Sequence, residues 1–428
     1  MIPKDLFALD LGTTKFCLAF LKGGARGAAP SVEIIGVPAA GMRRGMIADI
    51  DLAKKALNTL LEVSERQLGI DVRRVVVGIA GSHLQGRVVS SAKSLLLGTV
   101  HANDMRDLVA QVEGDFQLEA RELLHCVPVH YRVDMREPVD NPAGFSGRVL
   151  NGDFFLIDAD KTYLKDVVRL CNQCGLEVVR LVSEPFASAS VTVPEERKNL
   201  GVVLADIGGG TTDGLVFQRG RPRGGFTLNV AGALMTHDLA IGLNLNLEEA
   251  ERVKVFFGLR PINPSDTFEV RDLKGRSRLI QWSEVYPIIG ARVQELTAML
   301  SRQIKPYALG TVGGAGGGLG GGVMLTGGAS ELRGMADFIE ERLSMPVERV
   351  RPTLSLNAET TIPATSGASN VPSTQTTHTS TAFATKYATV IGLLNLEICH
   401  ANDRKKDRRI HWSSRYVSQF VNWLRDLS

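Results

Sequence analysis

Two segments far apart in this chain, Asp10-Leu-Gly-Thr-Thr-Lys15 and Asp206-Ile-Gly-Gly-Gly-Thr-Thr-Asp213, follow one plan. Each ends an apolar run, Leu6-Phe7-Ala8-Leu9 or Val202-Val203-Leu204-Ala205, in a carboxylate and then turns through glycine and threonine. Glycine lets a backbone turn tightly and bring its amides within hydrogen-bond reach of phosphate oxygens, where a Cβ would intrude, and the threonine hydroxyls add donors. A single glycine-rich turn between strands is ordinarily a hairpin. Two of them headed by matched acids form a phosphate clamp. Asp10 and Asp206 then stand at strand tips facing one cleft, where hard carboxylate oxygens suit Mg²⁺. The duplication constrains the chain to two α/β halves with a nucleotide between them.

At 428 residues the chain is too long for one small core and suits two lobes. Its net charge of +3 is too small for a nucleic-acid protein, and no basic stripe interleaved with aromatics runs through its body. Met1-Ile-Pro-Lys-Asp5 lacks the cationic and apolar regions of a signal peptide, and no apolar run reaches the roughly 18 residues of a membrane span. A cytoplasmic protein is expected. The five cysteines are too scattered for a disulfide framework. Cys171 and Cys174 fall where apolar residues recur at helical spacing, and no second pair completes a zinc site, so both read as buried helix cysteines.

Residues 1–81 alternate strands with a helix from about Leu52 to Leu68, and residues 152–199 return to that pattern, as does the ordered stretch 386–401; together these form a first lobe. Residues 82–151 break the rhythm with polar and proline-bearing stretches and read as an inserted subdomain. A second lobe comprises residues 200–242 and 323–356, with a smaller subdomain at 243–309 containing helices over Glu248 to Phe257 and from Trp282 to Leu300. Residues 310–322 are almost all glycine. They match a dinucleotide fingerprint at Gly316, Gly318 and Gly321 but precede a strand instead of following one, so they read as a flexible loop. Residues 357–385, rich in Ser, Thr and Ala, bury too little to offset chain entropy and are expected to be disordered.

Beyond Asn402 a charged tether, Arg404 to Arg409, leads to a stretch in which Ile410, Val417, Phe420, Leu424 and Leu427 recur at helical spacing, widened by Trp412, Tyr416, Val421 and Trp423. A cationic amphipathic helix flanked by tryptophan and too short to span suits an anionic membrane interface. The competing reading is a helix docked on the protein itself or in a partner's groove.

The two turns resemble the phosphate-1 and phosphate-2 loops of the actin and heat-shock chaperone ATPase superfamily, and Gly327-Gly328-Ala329 resembles its adenosine loop. Further segments resemble the FtsA family of actin-like bacterial cell division proteins. They include Gly41-Met-Arg-Arg-Gly45, His125-Cys-Val-Pro128-Val-His-Tyr131-Arg-Val-Asp134, Asn141-Pro142-Ala-Gly144-Phe-Ser146-Gly147, Glu184-Pro185-Phe-Ala187 and Glu248 to Lys254. Residues 82–151 resemble the subdomain that family calls 1C; His125, His130 and Asp134 within it read as structural groups. The resemblance covers most of residues 4–400.

It implies an actin-like two-lobed α/β fold that binds ATP with Mg²⁺ and is at most a weak ATPase. Asp10 and Asp206 would hold the Mg²⁺ hydration shell, and Gly12, Thr13, Thr14 and Lys15 would face the β- and γ-phosphates. Gly208, Gly209, Gly210, Thr211 and Thr212 would cover them from the other lobe. Asp213 would support the second loop or its water. Glu184 aligns with an acidic position near the attacking water and is the candidate catalytic base, the alternative being a helix-start carboxylate stabilised by the first turn. Glu251 and Lys254 resemble ribose and adenine contacts, the alternative being a surface ion pair. In the family such a protein polymerises, binds the FtsZ C-terminal tail, attaches the FtsZ ring to the cytoplasmic face of the plasma membrane at the division site and recruits later division proteins. The alternatives are a pilus-assembly adaptor of the PilM type and a small-molecule kinase of the same fold.

Overall fold

The structure, a computed structural model, describes residues 6–22, 31–116, 118–263, 265–309, 318–362 and 373–405. Two five-stranded sheets repeat one topology. In the first, Leu6–Leu11, Lys15–Lys22 and Ser31–Pro38 form an antiparallel meander, and Arg74–Ile79 then Glu177–Ser183 add in parallel beyond Leu6–Leu11. In the second, Val202–Ile207, Thr212–Gln218 and Arg221–Leu228 form the meander, and Val323–Thr326 then Val347–Arg349 add in parallel. Register sets Asp10 opposite Cys17 and Asp206 opposite Asp213, beside the turn in each case. The parallel strands are apolar runs because helices cover the sheets on both faces.

The helix Ile50–Leu68 starts at Asp49, whose carboxylate accepts the amides of Asp51 and Leu52, and stops at Gly69 in the left-handed conformation. Leu57, Leu60 and Leu61 pack with Leu164, Val167 and Val168 of the helix Lys161–Gln173 over one face of the first sheet. Between the two sheets lie Glu184–Thr192 and Ala388–Lys405. Ala187 and Val191 join Ala8, Val76 and Val390, whereas Phe186 and Ala189 join Leu204 and Leu215 of the second sheet. A Cβ on Gly392 would stand 2.0 Å from the Ala187 carbonyl oxygen, so only glycine allows these two helices to cross so closely. The far face of the second sheet carries Gly232–Leu243, Trp282–Ala308 and Met335–Leu343.

The insert is a three-stranded antiparallel sheet, Gln85–Ser94, Val149–Asp160 and Arg121–Val133, with the helix Ala102–Asp115 upon it. The boundary at residue 151 is therefore corrected. Phe154-Phe155-Leu156-Ile157 belongs to the central strand of the insert, paired on both edges, instead of opening the return to the first lobe. A continuous apolar run reports burial on both faces but not which sheet owns the strand. His125 is half-buried and neutral: its Nε2 accepts the Ser183 amide at 3.0 Å, its ring stacks on Phe186, and desolvation pushes its pKa down to about 3. Asp134, in the left-handed region, accepts the amides of Arg148 and Val149 at 2.9 Å each. Both are structural groups.

Further differences concern the C-terminal third. Thr353–Ile362 and Ser373–Ala382 pair as an antiparallel ladder that begins before the segment 357–385 expected to be disordered and takes in much of it, residues 363–372 lying outside the described residues. Their threonine-rich, β-branched composition suits extended backbone even where few apolar groups are available. The helix Ala388–Lys405 runs on into the stretch assigned to the tether. Cys171 is buried as expected, but Cys174 sits half-buried just past the end of its helix. Among the described residues no helix is long and apolar enough to cross a membrane. Most of the glycine tract, residues 310–317, and the amphipathic segment from Ile410 to Leu427 lie outside the described residues.

Candidate functional site

Both acid-headed turns open into one cavity of about 850 Å³ between the sheets. They touch across it. A Cβ on Gly209 would lie 2.3 Å from Thr14 Cγ2, and one on Gly210 would lie 2.2 Å from Thr13 Oγ1. Each turn is anchored to its own lobe. Thr13 Oγ1 accepts the Gly45 amide at 2.9 Å. On the other side the amides of Gly232 and Ala233, at the start of Gly232–Leu243, donate to the Gly208 and Gly209 carbonyls at 3.1 and 2.8 Å. Gly327 has φ +86 and stands so close to Asp206 that a Cβ would meet its Oδ1 at 2.3 Å.

The lining includes Asp10, Gly12, Thr13, Thr14, Lys15, Glu184, Asp206, Gly208, Gly209, Gly210, Thr211, Asp213, Glu251, Lys254, Gly327, Gly328 and Ala329. Thr212 is the exception. It is fully buried and its hydroxyl donates to the Val230 carbonyl at 2.7 Å, so it serves the scaffold and not the cavity. Asp213 accepts the hydroxyls of Thr211 and Thr227 at 2.7 and 2.6 Å, which uses both carboxylate oxygens and favours support of the loop over support of a water. Lys254 is 8% exposed and donates to Gly232 O, Thr236 Oγ1 and Glu251 Oε2 at 3.3, 2.9 and 2.6 Å. Lys254 is thus buried in the cleft wall, while its partner Glu251 is exposed at the edge of the cleft.

Four carboxylates, Asp10, Glu184, Asp206 and Asp213, line the cavity together with Lys15, whose Nζ lies 3.2 Å from Asp10 Oδ2. Burial opposes the charge on Lys15, but Asp10 and the Cys17 thiol beside it hold its pKa above the usual lysine range. Burial, with Asp213 and Asp10 adding to it and the Ser188 hydrogen bond opposing, pushes Asp206 up to about 7. Glu184 is raised well above the ordinary carboxylate value by burial first and then by Asp10, Asp213 and Asp206. A carboxylate stabilised by the first turn of its helix would shift the other way. The excess negative charge and the oxygen donors fit a hard divalent cation. Among the described residues no three His, Cys, Asp or Glu groups converge into a cage.

Several lining groups had not been assigned to the site: Arg43, Arg44 and Gly45 on the hairpin after Gly41, the segment Gly232 to His237, and Thr385, Lys386 and Thr389 near the central helices. Ser188, the partner of Asp206 at 2.7 Å, was also missed. The Gly-Met-Arg-Arg-Gly pattern, with two cations between glycines, was the available signal.

A family model described as "Cell division protein FtsA" matches residues 203–392. A second, described as "SHS2 domain inserted in FTSA", matches residues 81–157, the three-stranded insert. The chain belongs to the FtsA family. It is similar to the cell division protein FtsA of Agrobacterium fabrum, 27% identical over 361 residues that cover 80% of each chain. It is also similar to the FtsA of Bacillus subtilis, 28% identical over 334 residues, or 75% of this chain and 74% of that protein. The Escherichia coli FtsA is 27% identical over 343 residues, 78% and 80% of the two chains. The actin-like fold of this FtsA-family chain is shared with the MreB5 protein of Spiroplasma citri bound to ADP. The TM-score is 0.52 at 13% identity, covering 94% of this chain and 98% of that one. The PilM–PilN type IV pilus biogenesis complex gives a TM-score of 0.57 at 19% identity over 82% of this chain and 89% of that one.

Proposed function

We propose that the chain binds ATP with Mg²⁺ in this cleft, polymerises, and attaches the FtsZ ring to the cytoplasmic face of the plasma membrane through the amphipathic segment after Asn402. In this reading it also recruits later division proteins. The observation that carries the reading is the meeting of the two acid-headed glycine turns, one from each sheet, at van der Waals distance over a cavity of nucleotide size. Asp10 and Asp206 would hold the metal's waters, the amides of Gly208 to Thr211 and of Gly12 to Lys15 would take phosphate oxygens, and Lys254 with Glu251 would take the nucleoside end. Mg²⁺ would supply neutralisation of phosphate charge.

Hydrolysis should be slow. A general base must be ionised to work, and Glu184 is held toward its protonated form by burial and three neighbouring carboxylates. Nucleotide would then chiefly set the state of the polymer. Isothermal titration of the full chain with ATP and Mg²⁺ is expected to give saturable binding that EDTA weakens; absence of binding removes the reading.

Attachment rests on the tail. Each buried Leu or Phe contributes about 1.5 to 3 kcal/mol and each basic residue near anionic lipid about 1 kcal/mol, offset in part by ordering the helix. A single copy would bind reversibly, and a polymer would add avidity. In flotation with anionic liposomes, a chain ending at Asn402 is expected to stay in solution while the full chain floats. Equal flotation of both would mean the anchor lies elsewhere. The match of the insert to a domain described as inserted in FtsA, together with the FtsA match over residues 203–392, supports the division role ahead of a PilM-type adaptor or a kinase.

A further inference from the structure

The geometry points to Arg43 and Arg44 as specificity residues that read the terminal phosphate and so distinguish a nucleoside triphosphate from a diphosphate; this rests on the nucleotide reading above. The two-strand hairpin Met42–Arg43 and Met46–Ile47 turns at Arg44 and Gly45, with φ +51 and +71. Both turn residues are in the left-handed region, where Asn, Asp and Gly are usual and arginine is not. The turn is held at three points. The Gly45 amide donates to Thr13 Oγ1 at 2.9 Å, Tyr163 Oη donates to the Gly45 carbonyl at 2.9 Å, and the amides of Ala48 and Asp49 donate to the Gly41 carbonyl at 2.8 and 3.0 Å. An arginine pair is thus fastened directly to the first phosphate turn.

Arg43 and Arg44 are exposed and line the cleft. The lysines of the lining are engaged: Lys15 with Asp10, Lys254 with Glu251, and Lys386 over the Tyr387 ring. Among the described residues neither guanidinium has an ion-pair partner. The hairpin borders Ala80 and Gly81, just beyond the strand whose Gly78 packs on Glu184, and so lies at the Glu184 end of the cleft. At that end a diphosphate places no charge and a triphosphate does. Guanidinium forks match phosphate oxygens bidentately, which gives selectivity for a group and not merely for charge.

The test is calorimetric titration of the full chain with ADP and with a non-hydrolysable β,γ-imido ATP analogue, both with Mg²⁺. Arg43→Ala/Arg44→Ala is expected to weaken the ATP analogue roughly 10- to 100-fold while changing ADP less than about twofold, charged hydrogen bonds being lost from one ligand only. Arg43→Lys/Arg44→Lys should recover part of the loss, since it restores charge without the fork. Retained ADP binding reports that the variants fold. Equal losses for both ligands, or none for either, would overturn the assignment. A wild-type chain that binds neither ligand would overturn the nucleotide reading along with it.

Discussion

Gly210→Val should reduce affinity for ATP and Mg²⁺ more than about 100-fold, with the folded structure nearly as stable as before. The added Cβ would stand 2.2 Å from Thr13 Oγ1 and 2.8 Å from Thr13 Cβ, well inside contact distance. Neither side can yield cheaply. Thr13 is fixed by the Gly45 amide, and the second turn is fixed by the amides of Gly232 and Ala233. The lobes must therefore separate, and the amides of one turn leave hydrogen-bond range of a phosphate held by the other. Loss of two charge-assisted hydrogen bonds at about 1.5 to 3 kcal/mol each corresponds to more than about 100-fold in affinity. The strain falls on an interface lined by a cavity, so the melting temperature should move only about 2 to 4 °C. Calorimetric titration beside a thermal scan decides the matter: near-native affinity would mean that the two turns do not act as one clamp.

What could be read from residue order was whatever local chemistry repeats. The helix Ile50–Leu68 was legible because its apolar spacing is regular, and the acid-headed turns because carboxylate, glycine and threonine each have a separate physical reason to be there. The helix Gly232–Leu243 was not, since it mixes apolar and small residues on all sides and offers no clear stripe. The hairpin at residues 42–47 was not either: strands of two residues carry no period. At the site, residues that act through their own turn were found. Ser188, Thr227 and Gly45 act by touching an element remote in sequence, and no local pattern reports a contact of that kind.

The same carboxylates that suit a metal should burden the protein without one, and Asp206→Asn exposes that cost. Burial pushes Asp206 up to about 7 from its ordinary value of 3.8, so between these pH values the folded chain holds a proton that the unfolded chain has lost. Its contribution to stability is thus fully present below the unfolded value and disappears as pH rises through the folded one. A shift of this size corresponds to up to about 4 kcal/mol. His83 and His125, pushed down by desolvation to about 4 and about 3, act in the opposite direction, stabilising as pH rises toward the ordinary histidine value. They are common to both proteins and cancel in the difference. In EDTA, urea unfolding should show Asp206→Asn gaining up to about 4 kcal/mol over wild type between pH 4 and pH 8. Adding ATP and Mg²⁺ at pH 8 should reverse the order, because the ionised carboxylate then faces a cation and the amide does not. A difference that stays flat with pH would place Asp206 in contact with solvent. A variant still ahead of wild type with ligand present would remove Asp206 from the metal site.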